Sequence, residues 1–336
     1  MRRSAAAVSA AAVGALLLAA CGTSQPGGND DVEDTPAPDT GGAAEVPTYE
    51  GTDKEDLGEV TTRDDDIYVS VHVNEWAGYN SDKSTTYATW NSVVNNRVQS
   101  SFTYFGTDGT IHPNEEFGTF EAVSEDPLIV EYSIHEDAVW SDGEPIDYAD
   151  AVFRWATQNP NFADDEGNPL FDSVSHTLGE YVPTPPEGEM GGKDFTLNYE
   201  TPYADWQLLV DNFYPAHVVA RELGLSTEEF TQAILDEDMD VITEAAEFWE
   251  SGWDNPQPGQ LPDEELIPVS GPYTYSNWEA GQYITLEANE AYWGTPPATS
   301  RLTFRFMDAA THVQALENGD LNVSQGQATV DTLEQL

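Results

Sequence analysis

A single cysteine, Cys21, serves the whole 336-residue chain. No disulfide within the chain can staple the fold, so its body must be held by non-covalent contacts, buried apolar surface above all. The apolar supply suffices: nine Trp, fifteen Tyr and thirteen Phe are spread over the chain. That is ample for a large core and generous for a ligand cleft. Cys21 also sits at a special place. It follows a basic start, Met1-Arg2-Arg3, and a run of small and apolar residues from Ala5 to Ala20. A basic head, a short apolar stretch and small residues before a cut site describe a secretory signal. The run is too short and too rich in Ala for a comfortable membrane span, which needs about 20 apolar residues.

The tetrapeptide Leu18-Ala19-Ala20-Cys21 resembles the bacterial lipobox. That resemblance implies cleavage before Cys21 and a diacylglyceryl thioether on its sulfur. The thiol would then serve neither a disulfide nor a nucleophile. The mature chain is expected on the outer face of the bacterial cytoplasmic membrane, attached by its lipid anchor only. From Gly22 to about Thr61 the chain is rich in Gly, Pro, Thr, Asp and Glu and poor in large apolar residues. Such a segment cannot bury enough surface to offset its ordering entropy. The expected organisation is a signal peptide over 1–20, an acidic tether over 21–62 and a folded body from residue 63.

Sixty-two acidic residues face eleven basic ones, a formal net charge of −51, and only Lys54, Lys83 and Lys193 are lysines. This charge excludes nucleic acid and anionic headgroups as partners. An acidic surface suited to a salty surrounding accounts for it more simply than a cationic ligand does.

Alternation of apolar and polar residues predicts strands at Ile67–Val73, Ile129–Ile134, Phe195–Tyr199, Tyr283–Leu286 and Leu302–Phe306. A helix is expected over Ala149–Gln158, with Asp147 as N-cap and Asp150 three residues on. Ser226 with Glu229 repeats the device ahead of Phe230 and Ile234. Ile242, Ala245, Ala246 and Trp249 share a helical face, and a further helix over Asp308–Asn318 should end at a left-handed Gly319. The Pro-rich stretches 183–186 and 255–259 read as loops. The result is a mixed α/β protein.

Three segments, in order, resemble one family. Val130 to Phe153 contains Trp140-Ser141-Asp142-Gly143-Glu144-Pro145 followed by Asp147-Tyr148-Ala149-Asp150-Ala151-Val152. Pro215-Ala216-His217-Val218-Val219 comes next. Ser270-Gly271-Pro272-Tyr273 then leads to Asn289-Glu290-Ala291-Tyr292-Trp293-Gly294 and on to Ala315-Leu316-Glu317-Asn318-Gly319-Asp320-Leu321. Together they resemble the family 5 extracellular solute-binding proteins, of the oligopeptide, dipeptide and nickel type. Asp147 replaces the family's usual Thr, and both cap helices. The resemblance implies a periplasmic-binding-protein-like two-lobe fold (type II, cluster C). Residues 63–305 would form the first lobe, with an inserted subdomain near 80–190, and 306–336 would open a second, incomplete lobe. Family members are longer, so a chain ending at Leu336 is expected to be a fragment or a truncated gene product.

The same resemblance implies a monomer that captures oligopeptides, dipeptides or another small solute and delivers it to the permease and ATPase subunits of an ABC importer. The family also has members for nickel, sugars, haem and opines. The aromatic turns around Trp140 and Trp293 read as scaffold rather than ligand contacts. The candidate ligand wall is the segment after the first strand, Asn74, Glu75, Trp76, Tyr79 and Asn80. It offers flat aromatic area, amides for a peptide backbone and one carboxylate for a cationic group. An ordinary loop with Trp76 filling a core gap is the alternative. No zinc-type His-Glu-x-x-His, nucleophile elbow or phosphate loop occurs in the sequence. No metal, cofactor or catalytic group is expected, and a lipid-anchored hydrolase is the rival class.

Overall fold

The strand expected over Ile67–Val73 is found shifted toward the N-terminus: β1 spans Arg63–Ser70, and of its eight residues only the last two, Val69 and Ser70, are buried. The computed structural model describes residues 58–106 and 109–324. The signal peptide, Cys21, most of the tether and residues 325–336 lie outside the described residues. After β1 come α1 (Thr89–Asn95), the short strands β2 (Thr103–Phe105) and β3 (Ile111–Pro113), β4 (Gly118–Glu125) and β5 (Leu128–Ile134). Then follow α2 (Tyr148–Thr157), α3 (Thr177–Tyr181), β6 (Glu187–Gly188) and β7 (Asp194–Asn198). The chain continues through α4 (Ala216–Glu222), α5 (Thr227–Leu235) and α6 (Met239–Ser251) to β8 (Tyr273–Glu279), β9 (Tyr283–Ala288), β10 (Thr299–Arg305) and α7 (His312–Asn318).

One sheet has the order β1-β10-β9-β8. β1 runs parallel to β10, and β9 is antiparallel to both β10 and β8. β1, β10 and β8 therefore all end on the same edge. Across the sheet Val69, Phe304, Ile284 and Trp278 stand in register, all buried. The second sheet, β4-β5-β7-β6, is antiparallel throughout. Its apolar face carries Phe120, Tyr132 and Phe195 in one row, with Tyr132 and Phe195 stacked at 4.9 Å. Phe102, Phe117 and Phe213 close over them.

The helices start where their caps dictate. Asp147 accepts from Ala149 N while Asp150 reaches back to the Asp147 amide, completing a capping box on α2. All ten residues of α2 are buried, so it is the central helix. Ser226 and Glu229 make the same box on α5. Ile242, Ala245, Ala246 and Trp249 form the buried stripe of α6, as their spacing predicts. The helix expected over Asp308–Asn318 is split. Asp308 caps a tight turn at Ala309–Thr311 before α7 begins, and Gly319 ends it at φ 76°. Tight turns of this kind are common at helix starts.

Candidate functional site

The motif residues hold the scaffold together. Trp140 is fully buried, and Gly143, at φ 94°, lets the turn fold back so that its N–H donates to Trp140 O. Asp150 gathers three motifs on one carboxyl group. It accepts from Trp140 Nε1 at 3.2 Å, from Asp147 N at 3.0 Å and from Ala216 N at 2.9 Å. Burial, reinforced by the neighbouring Asp147 charge, raises its pKa to about 7 against the pull of those donors. Nearby, Asp142 and His217 meet at 2.9 Å. Burial alone would raise Asp142, but the His217 contact outweighs it and holds the carboxyl below its usual value. In the third segment Gly271 N donates to Val98 O at 2.9 Å, and a Cβ there would stand 2.5 Å from the Val98 carbonyl carbon. Only glycine allows β8 to approach the stretch after α1 so closely. Asn289 Nδ2 donates to Gly271 O and Trp293 Nε1 to Glu116 O, pinning the exit of β9.

The loop after β1 crosses toward β8 and is tied down by α1. Asn95 alone does much of this. Its Nδ2 donates to Gly78 O, Tyr79 O and Ser81 Oγ, and its Oδ1 accepts from Trp76 Nε1 and Tyr275 OH. Asn91 bonds Ala77 N, Gly78 O and Thr86 O. The five candidate residues consequently part company. Asn74 is exposed, beside the stacked rings of His72 and Trp90. Glu75 is half-buried. Trp76 is 2 % exposed and packs on Tyr275 and Trp278. Tyr79, 1 % exposed, donates to Pro268 O at 2.5 Å, and burial drives its pKa well up. Asn80, 3 % exposed, donates to Trp249 O. Tyr79 and Asn80 are thus interior residues that present nothing to a solute in this conformation. Trp76 fills a core gap with most of its ring and keeps one edge on a surface hollow.

That hollow, about 550 Å³, lies at the edge where β1, β10 and β8 end. In open α/β sheets ligands bind outside the carboxyl ends of strands. Glu75, Trp76 and Trp278 line it, together with Lys83, Asp254 and Asn255. Lys83 Nζ is already committed to Glu250 O at 2.6 Å and to Asp254 at 2.7 Å. Three polar atoms on the wall lack any partner and are shut off from solvent: Glu75 Oε2, Asn255 Oδ1 and Trp278 Nε1. Asn255 and Trp278 carry no local sequence signal for a ligand; one lies in the Pro-rich loop and the other near the end of a strand. A larger hollow of about 700 Å³ covers the polar face of the second sheet, where Glu121, Glu131, Glu187 and Asp194 make a solvated acidic surface. Among the described residues no group of three or more His, Cys, Asp or Glu is placed to hold a metal ion. No helix among them is long and apolar enough to cross a membrane.

Comparison with known proteins agrees with this architecture. Residues 118–335 match the bacterial extracellular solute-binding proteins, family 5, middle region. An uncharacterized lipoprotein of Mycobacterium tuberculosis is 33 % identical over 214 residues, covering 62 % of this chain and 36 % of that protein. The oligopeptide-binding protein OppA of the same species is 26 % identical over 233 residues, 68 % of this chain and 32 % of OppA. Among solved structures, a periplasmic EDTA-binding protein, EppA, superposes with a TM-score of 0.64 at 27 % identity, covering 82 % of this chain and 46 % of EppA. The chain spans about a third of the length of these curated relatives and about half of the solved structure. It belongs to the family 5 bacterial extracellular solute-binding proteins.

Proposed function

We propose that this chain is the solute-capturing part of an ABC importer, held on the outer face of the cytoplasmic membrane by a lipid on Cys21, and that its cargo is peptide. The observation that carries the reading is the hollow at the carboxyl edge of the first sheet, beside the loop after β1, in a family 5 scaffold. The similarity to an oligopeptide-binding protein supports peptide as cargo, and the similarity to lipoproteins supports the anchor. In this reading residues 63–305 are the first lobe, with an insertion near 80–190, and 306–336 open the second. Closure of two lobes about a hinge buries the cargo, and the closed form docks on the permease. The protein works as a monomer, and its partners are membrane permease and cytoplasmic ATPase subunits. The cargo leaves chemically unchanged.

Titration of the protein with a mixed pool of di- to pentapeptides, followed by tryptophan fluorescence, tests this. Saturable quenching with peptides recovered intact is expected. Cleaved peptides, or no saturable response, would reject the reading and favour a lipid-anchored hydrolase or a protein with no solute.

A further inference from the structure

We propose that Arg154 is a positioning residue for solute capture: through Asp82 it fixes the loop whose two legs wall the hollow after β1, without itself touching the solute. This rests on the solute-capture reading and names what holds that site in shape.

Arg154 stands on α2, the central helix, and is buried. Its guanidinium forks between two carboxylates, with Nη1 on Asp82 and Nη2 on Asp211. The two arms lead to different places. Asp82 lies in the loop after β1, and its side chain keeps 13 % exposure. Asp211 lies in the segment before α4, keeps 43 %, and is no part of the hollow's wall. The loop gives the Asp82 arm its leverage. Residues 75–77 form one leg at the hollow, and Lys83, Thr85 and Thr86 form the other. Everything from Gly78 to Ser81 between them is buried. Asp82 is the corner: its N–H donates to Asn80 Oδ1 at 3.0 Å, and its carbonyl accepts from Val174 N at 2.8 Å. Lys83 then turns to Asp254 and donates to Glu250 O, near the end of α6. Among the described residues Arg154 and Lys83 are the two buried basic side chains, in a chain with eleven basic residues in all, and both act at this corner.

A buried ion pair is seldom worth more stability than apolar side chains of the same volume, because desolvation offsets its attraction. What it supplies here is one arrangement. The planar guanidinium fork accepts few partner geometries, and on a helix buried along its whole length it dictates where Asp82 can sit. A corner that tilts carries Lys83, Thr85 and Thr86 away from the wall. A solute then meets a hollow that holds its binding shape only part of the time, and apparent affinity falls with that fraction. A role confined to stability has a different signature: it lowers the fraction folded and leaves the affinity of the folded protein alone.

The two arms let stability and positioning be separated. Asp82→Asn and Asp211→Asn each replace one carboxylate of the same arginine by an amide of equal size. The full chain of each variant is unfolded in urea, and titrated with the mixed pool of di- to pentapeptides by tryptophan fluorescence. Both variants are expected to lose stability. Only Asp82→Asn should bind more weakly, with half-saturation at a concentration on the order of tenfold higher, as when the binding shape falls to about a tenth of the population. Hydrogen exchange reads the loop without any solute: the amides of Ala77, Gly78 and Ser81, now held by Asn91 and Tyr214, should exchange faster in Asp82→Asn than in Asp211→Asn. Wild-type affinity in Asp82→Asn, equal weakening in both variants, or equal exchange overturns the proposal. If Asp82→Asn does not fold, Arg154→Lys keeps the charge but loses the fork, and wild-type affinity there is equally fatal. If peptides bind and the variants do not differ, the positioning role falls while solute capture survives. If the wild type binds none of the pool, both fall.

Discussion

At the scale of single residues, Asp150 shows how motif residues serve the fold. Its carboxyl group joins the Trp140 turn, the start of α2 and the start of α4. A carboxyl whose pKa is raised to about 7 in the folded state, against about 4 in the unfolded chain, keeps its proton longer when folded. The folded form then binds more protons between about pH 4 and 7, and this group's contribution to stability falls as pH rises through that window. Urea unfolding of the wild type and of Asp150→Asn across the window should show the wild type losing ground to the variant as pH rises. A difference that does not vary with pH would contradict the assignment. Asn95 makes a second test. Its side chain has five partners in the interior. Asn95→Ala strands several of them at once, and is expected to cost about 3 kcal/mol or more in urea unfolding. A loss below about 1 kcal/mol would mean that the loop after β1 does not depend on α1.

Among elements, those that announce themselves in sequence carry their own caps or a clean period. α2 and α5 have capping boxes, and α6 has an unbroken apolar stripe. α1 lacks both. It starts at Ala88 with no side-chain cap and no acidic residue in its first turn, and its buried face is Asn91, Val94 and Asn95. Asparagines on a buried face read as a solvated face until their partners are known. β4 is equally opaque: its burial alternates strictly, but the apolar Val123 falls on the exposed side and the polar Ser124 on the half-buried one. The site divides along the same line. Glu75 and Trp76 stand in the loop that sequence singled out, whereas Asn255 and Trp278 reach the hollow only through the register of β8 and the loop after α6. Tyr79 and Asn80 look like ligand contacts in sequence for the reason that makes them good core residues here: each has a flat or compact body and a polar tip that finds a backbone carbonyl.

For the whole molecule, a net charge of −51 sets the background for every local interaction. Like charges at such density repel in the folded state, and salt shortens their reach from about 10 Å at 0.1 M to about 3 Å at 1 M. The thermal midpoint is therefore expected to rise as NaCl increases over that range; a midpoint that stays flat or falls would show that the repulsion is already compensated within the fold. On the proposed reading, the hollow beside the loop after β1 captures its solute against this acidic background. Mass spectrometry of the small molecules released on denaturing the full-length protein purified from its own membrane tests that claim most directly. The account predicts intact peptides, present in stoichiometric amount. Release of cleaved peptides or of a single non-peptide metabolite, or of nothing from a protein that also binds nothing on reloading, would contradict it.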